Sequence, residues 1–178
     1  MNGRTKGSVA EREVAELLAE WWQKHDPTAD FCRTPLSGGW GNPARRGSYK
    51  ASGDIMTTSS SFPFVVEVKR RESFSFDSLV RGLRGGKSPV WGWWAQTCVA
   101  ANEQGGVPQL WLKRNREPWY VVMRAELSAL VPTRFVYAKA LPVPASEQRV
   151  TVVSAKALLA TPPERVLHLL QMLKASPV

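Results

Sequence analysis

The sequence predicts an α/β layered domain, and three observations carry that reading. Helical and strand-like hydrophobic periods alternate along the chain as helix, strands, helix, strands, helix. Hydrophobic residues make up 43% of 178 residues, enough to build one core. Strong punctuation separates the periodic segments, with glycine or proline at nearly every expected boundary.

The first element is a helix over residues 8–25. Val14, Leu17, Leu18, Trp21 and Trp22 fall on one face, and Arg12, Glu13, Glu16, Glu20 and Lys24 on the other. Residues 1–7 read as a flexible basic arm before it, and Asp26-Pro27 ends it. Ser8-x-x-Glu11 has the form of a capping box, yet Glu11 aligns with Val14, Leu18 and Trp22, so its carboxylate points toward the interior. Residues 26–53 are loop-rich, with a strand through Phe31–Thr34. Asp54–Thr58 and Phe64–Arg70 read as a hairpin turning at Ser59–Pro63. The second of these strands is so apolar that it is expected to be central. A short helix near Phe76–Leu83 follows. Ser88-Pro89 then opens a helix that runs to about Glu103 and stops at Gly105-Gly106. Two strands, Val107–Lys113 and Trp119–Arg124, come next, with a short helix over Ala125–Leu130. The remainder adds a strand around Arg149–Val153, a short helix capped by Ser154, and an amphipathic helix over Pro163–Lys174. Residues 1–130 are therefore expected to form the core unit, and residues 131–178 a C-terminal extension packed on it.

Net charge is +9, from 24 basic against 15 acidic residues. Such an excess draws polyanions, nucleic acid foremost. No apolar run has the length of a membrane span, and the polar start lacks the form of a secretory signal. Cys32 and Cys98 match no zinc spacing and read as reduced thiols of a cytoplasmic protein. His25 and His168 are assigned no catalytic role.

The chemistry concentrates in Phe64-Val-Val-Glu-Val-Lys69. Strand alternation puts Glu67 and Lys69 on one face and Phe64, Val66 and Val68 on the other. A hairpin folded about Ser60-Ser61 sets Asp54 opposite Glu67. Two carboxylates at that distance repel unless one takes a proton or a cation lies between them. An oxygen-only ligand set of Asp54, Glu67 and the inward Glu11 suits Mg²⁺ or Mn²⁺. That set, with Lys69 to orient the nucleophile and absorb charge, is what phosphodiester hydrolysis needs.

Gly53-Asp54-Ile55, twelve intervening residues between the acids, and Glu67-Val68-Lys69 resemble the PD-(D/E)XK nuclease superfamily. Glycine stands where that pattern has proline. Within the superfamily the chain is similar to the Holliday junction resolvases of archaea and their viruses. The similarity rests on Lys6-Gly7, Glu11-Arg12-Glu13, Arg33, Ser37-Gly38-Gly39, Gln96 and Gly105-Gly106-Val107-Pro108, and it covers about residues 4–124. The segment Trp40–Ser52 looks like an insertion. The resemblance implies a restriction-endonuclease-like fold, a mixed central β-sheet flanked by helices. It also implies a homodimer, Mg²⁺ dependence and paired nicks across a four-way DNA junction. Carried over, Glu11, Asp54 and Glu67 are metal ligands, Lys69 is the catalytic lysine and Ser37 lies at the phosphate.

Basic residues flank this site on both sides: Arg33, Arg45, Arg46 and Lys50 before it, and Arg70, Arg71, Arg81, Arg84 and Lys87 after it. With Arg4 and Lys6 on the arm, they are expected to meet phosphates, and Trp40 or Tyr49 to stack on an unpaired base. Trp91, Trp93 and Trp94 crowd one helix, so an exposed aromatic patch and a dimer contact are expected there. Two other readings compete: a restriction or repair nuclease of the same superfamily, and a non-catalytic DNA-binding protein. Retention of all four of Glu11, Asp54, Glu67 and Lys69 argues against the last.

Overall fold

A computed structural model describes residues 3–35, 49–72, 88–131, 135–140 and 147–175. In chain order the elements are α1 (Gly3–Trp22), β1 (Phe31–Arg33), β2 (Lys50–Ser52), β3 (Ile55–Thr57) and β4 (Phe64–Arg71). There follow α2 (Pro89–Glu103), β5 (Val107–Arg114), β6 (Tyr120–Arg124) and a 3-10 helix (Ala125–Leu130). The chain continues through β7 (Phe135–Ala140), β8 (Glu147–Ser154), α3 (Ala155–Leu159) and α4 (Pro163–Ala175).

Among the described residues the central sheet has five strands, in the order β4-β5-β6-β8-β7. Only β4 and β5 run parallel, with α2 as their crossover, and the other pairs are antiparallel. The expected mixed sheet with flanking helices is thus present. A second, three-stranded antiparallel sheet, β1-β3-β2, lies beside the β4 edge.

Each face of the large sheet carries its own core. On one, Val14, Leu18, Trp21 and Trp22 of α1 meet Phe64, Val66, Val68, Trp111, Val121 and Met123. On the other, Val90, Trp91 and Trp94 of α2 cover Leu110, Leu112, Val122, Val150 and Val152. Strands β5 and β6 are covered on both faces, which is why Leu110-Trp111-Leu112 and Val121-Val122-Met123 are apolar without alternation. Burial of one such side chain is worth roughly 1.5–3 kcal/mol. Two buried indoles of α1 keep their polar edges satisfied: Trp21 Nε1 donates to the Thr161 carbonyl at 2.7 Å, and Trp22 Nε1 to Ser59 Oγ at 2.9 Å.

Several expectations change. Helix α1 begins at Gly3, so Arg4 and Lys6 lie in its first turns and not on a free arm, and Ser8 is an interior position and not an N-cap. Asp54–Thr58 and Phe64–Arg70 do not form a hairpin. Strand β3 is the middle strand of the small sheet, with β1 on one edge and β2 on the other, so neither edge is left for β4. Strand β4 is not central but stands at the end of the large sheet, and its apolar face is buried by α1. Trp91 and Trp94 are buried against the sheet, only 3% and 1% exposed, and Trp93 alone is partly exposed, which removes the expected aromatic patch. Strands β2 and β7 were not anticipated. The short helix at 76–83 lies outside the described residues.

Candidate active site

The site is assembled at the outer edge of β4. Gly53 adopts a left-handed backbone with φ 79°, and a Cβ there would lie 2.3 Å from the Val66 carbonyl oxygen. Only glycine lets the two backbones approach this closely. That approach forms a parallel bridge between Gly53 and Val66, and the Asp54 N–H donates to the Val66 carbonyl at 2.7 Å. Two further contacts fix the same turn. Thr34 donates its N–H to the Asp54 carbonyl and its hydroxyl to the Gly53 carbonyl, both at 2.8 Å. The Gly53 N–H donates to Gln104 Oε1 at 3.3 Å.

So anchored, the Asp54 side chain turns onto β4, where Oδ2 accepts the Val68 N–H at 2.8 Å. The bond satisfies a donor on the strand edge and sets the carboxylate next to Glu67. Glu67 and Lys69 share one face as alternation required, and the Lys69 ammonium donates to Glu67 Oε1. Both are largely covered, with side chains 20% and 18% exposed. Glu11 comes from α1 and is held by Arg33 of β1, Nε to Oε2 at 3.3 Å. Arg33 pairs in register with Ile55, the residue after Asp54, so β1 brings this arginine to the same place.

Asp54 carries the electrostatic signature of the group. Its carboxyl is pushed up to about 6, first by burial and then by the charges of Glu67 and, more weakly, Glu11; the Val68 N–H and Lys69 pull the other way. The charges of Glu67 and Glu11 thus act on Asp54 although the expected hairpin is absent, because the turn at Gly53 carries Asp54 to β4 by another backbone route.

The donor set fits a hard divalent cation: its atoms are carboxylate oxygens, and Asp54 is unfavourably charged beside two like neighbours, a penalty that a dication would relieve. Among the described residues no three His, Cys, Asp or Glu side chains already converge as a metal cluster. Glu11 and Glu67 are instead engaged by Arg33 and Lys69.

The other expected site residues divide. Ser37, Arg45, Arg46, Arg81, Arg84 and Lys87, with Trp40, lie outside the described residues, as do the side chains of Arg4 and Lys6. Lys50 donates to the carbonyls of Ser60 at 3.0 Å and Phe62 at 2.6 Å, and burial lowers its pKa. Tyr49 donates its hydroxyl to Asp30 Oδ2. Arg71 stacks over the Trp93 ring at 5.6 Å, and the charge of Arg70 acts on Glu13.

One pair escaped the sequence reading. Lys113 of β5 donates to Glu13 at 2.5 Å and sits over the Trp119 ring at 5.2 Å. Burial opposes ionisation of Glu13, but the Lys113 bond and neighbouring groups outweigh it and hold its carboxyl below the usual range. The parallel register sets Lys113 beside Arg70. No local pattern reports such a register.

No helix among the described residues is long and apolar enough to cross a membrane. No curated protein and no solved structure matches the chain. A family model described as "Phage putative PDDEXK endonuclease" matches residues 2–155, a span that holds Glu11, Asp54, Glu67 and Lys69 and runs on through β7 and β8. The chain belongs to this phage PDDEXK endonuclease family, and thereby to the PD-(D/E)XK nucleases.

Proposed function

We propose that the protein is a metal-dependent endodeoxyribonuclease that acts on branched DNA, a four-way junction above all, as a homodimer. The observation that carries the catalytic part is the seating of the Asp54 carboxylate on the β4 edge, bonded to the Val68 N–H and crowded by Glu67. Asp54 and Glu67, with Glu11, are the residues to hold Mg²⁺, for which Mn²⁺ would substitute. The ion, when bound, supplies a polarised phosphoryl oxygen and an acidified water. Lys69 stands on the same strand face as Glu67, where an ammonium can orient the attacking water and offset charge that develops on the phosphate. The Glu11–Arg33 pair holds an arginine at the site for a phosphate oxygen, and Ser37 is assigned there by resemblance alone. The excess of basic residues provides the field that draws DNA in.

Junction preference and the dimer rest on the similarity of about residues 4–124 to junction resolvases. The test is a labelled four-way junction beside a matched linear duplex, both with Mg²⁺. Symmetric paired nicks in the junction alone are expected. Cutting of both substrates would assign a restriction or repair nuclease of the same superfamily instead.

A further inference from the structure

A second feature lies at the other end of β4. A cleft of about 480 Å³ opens where β4 and β5 begin, between the Ser60–Pro63 loop, the Gly105-Gly106 turn and the last turns of α4. Among the described residues, three cationic ones line it, Lys50, Arg124 and Lys174, and no Asp or Glu does. Gln104 and Gln171 add side-chain amides to its wall. Its size falls within the roughly 300–1,000 Å³ of ordinary ligand sites.

Two observations join this cleft to the candidate active site. Gln104, in its wall, accepts the N–H of Gly53, the residue before Asp54. Val65, also in its lining, shares a strand face with Glu67, about 7 Å further along by strand rise. A chain carrying phosphates that enters the site could therefore continue into the cleft within a nucleotide or two. The described part of this wall, with cations and amide donors and no carboxylate, matches a phosphodiester backbone.

We propose that this cleft anchors the substrate strand beyond the cut, with Arg124 and Lys174 binding its phosphates. The proposal rests on the nuclease reading above. Arg124 and Lys174 are both exposed, and neither belongs to the catalytic group.

The test compares the full-length protein with an Arg124→Gln/Lys174→Gln variant. Binding of labelled junction and single-stranded DNA is followed by anisotropy across a salt series without Mg²⁺, and cleavage at saturating DNA with it. The variant is expected to bind several-fold more weakly. Its plot of log affinity against log salt should be shallower by about 0.7–0.9 for each phosphate that is no longer neutralised, while cleavage at saturating DNA persists. Unchanged affinity and slope in a variant that melts like the parent would overturn the proposal. Lys174→Glu alone, in an exposed last helical turn, carries the same test if the double variant fails to fold. Absence of cutting by the parent itself would remove the nuclease reading, whereas a slope that depends on the cleft without any cutting would leave DNA binding by the cleft intact.

Discussion

Asp54 is the residue on which most of the account turns. Its carboxyl ionises at about 6 in the folded protein against an ordinary value of 3.8, because burial and two like charges disfavour the anion. Between these values the folded state binds more protons than the unfolded state, so this group makes stability fall as pH rises from about 4 to about 6. A shift of about two units is worth on the order of 3 kcal/mol at neutral pH. Asp54→Asn keeps an oxygen to accept the Val68 N–H and removes the charge. In EDTA at pH 7 the variant is therefore expected to melt higher than the parent, with the gain vanishing below pH 4. A variant that melts lower at pH 7 would show that the carboxylate is not strained. At Lys69 the expectation concerns rate. Lys69→Met should reduce cleavage by about 10²–10³ with DNA affinity little changed, as single-turnover kinetics beside binding would show. The pairing of Glu67 with Lys69 was legible in the sequence because strand alternation is a rule of local geometry. The Asp54–Val68 bond was not legible, because it depends on which strand the turn at Gly53 meets.

At the scale of elements, the turn at Gly53 decides the site. Gly53→Ala would set a Cβ against the Val66 carbonyl in a left-handed backbone. At least ~1–3 kcal/mol of stability should be lost to strain, with cleavage lost as Asp54 shifts; denaturant melts and activity of the same preparation would measure both. An unchanged melting curve would contradict the close approach. A milder case is Ser154, whose hydroxyl accepts the Ala157 N–H at 3.2 Å at the start of α3. Ser154→Ala should cost about 1 kcal/mol. This cap was readable, as were Pro89 at the start of α2 and Gly105 past its end, because each signal acts on its own few residues. The false hairpin has the opposite cause. Asp54–Thr58 and Phe64–Arg70 carry good strand and turn signals, but β1 and β2 already hold both edges of β3. Competition for an edge is a property of the whole sheet and leaves no mark on either segment. The buried Trp91 and Trp94 follow the same logic, since only the fold reveals that α2 lies across β5, β6 and β8.

For the whole molecule, the segment after Leu130 is bound up with the sheet. Strand β8 pairs directly with β6 and brings β7 to the far edge. Val150, Val152, Val153, Leu158 and Val166 also enter the two cores. A chain ended at Leu130 would leave β6 as an open edge and expose both cores, so it is expected not to fold. Circular dichroism and size exclusion would test this; a folded fragment would establish residues 131–178 as a separable extension. The net charge of +9 acts at the same scale and should make DNA binding fall steeply with salt. The succession of α and β elements, and hence the class of fold, was visible from periodicity. The order β4-β5-β6-β8-β7 was not, because strand order is set by long-range pairing.

The most direct test of the central claim is cleavage of labelled DNA by the wild-type protein and by Asp54→Asn, each with Mg²⁺ and with EDTA. Metal-dependent cutting by the wild type, abolished in Asp54→Asn while DNA binding persists, is the predicted result. Cutting that survives in Asp54→Asn or in EDTA, or binding with no cutting under any condition, would contradict an active site built on Asp54, Glu67 and Lys69.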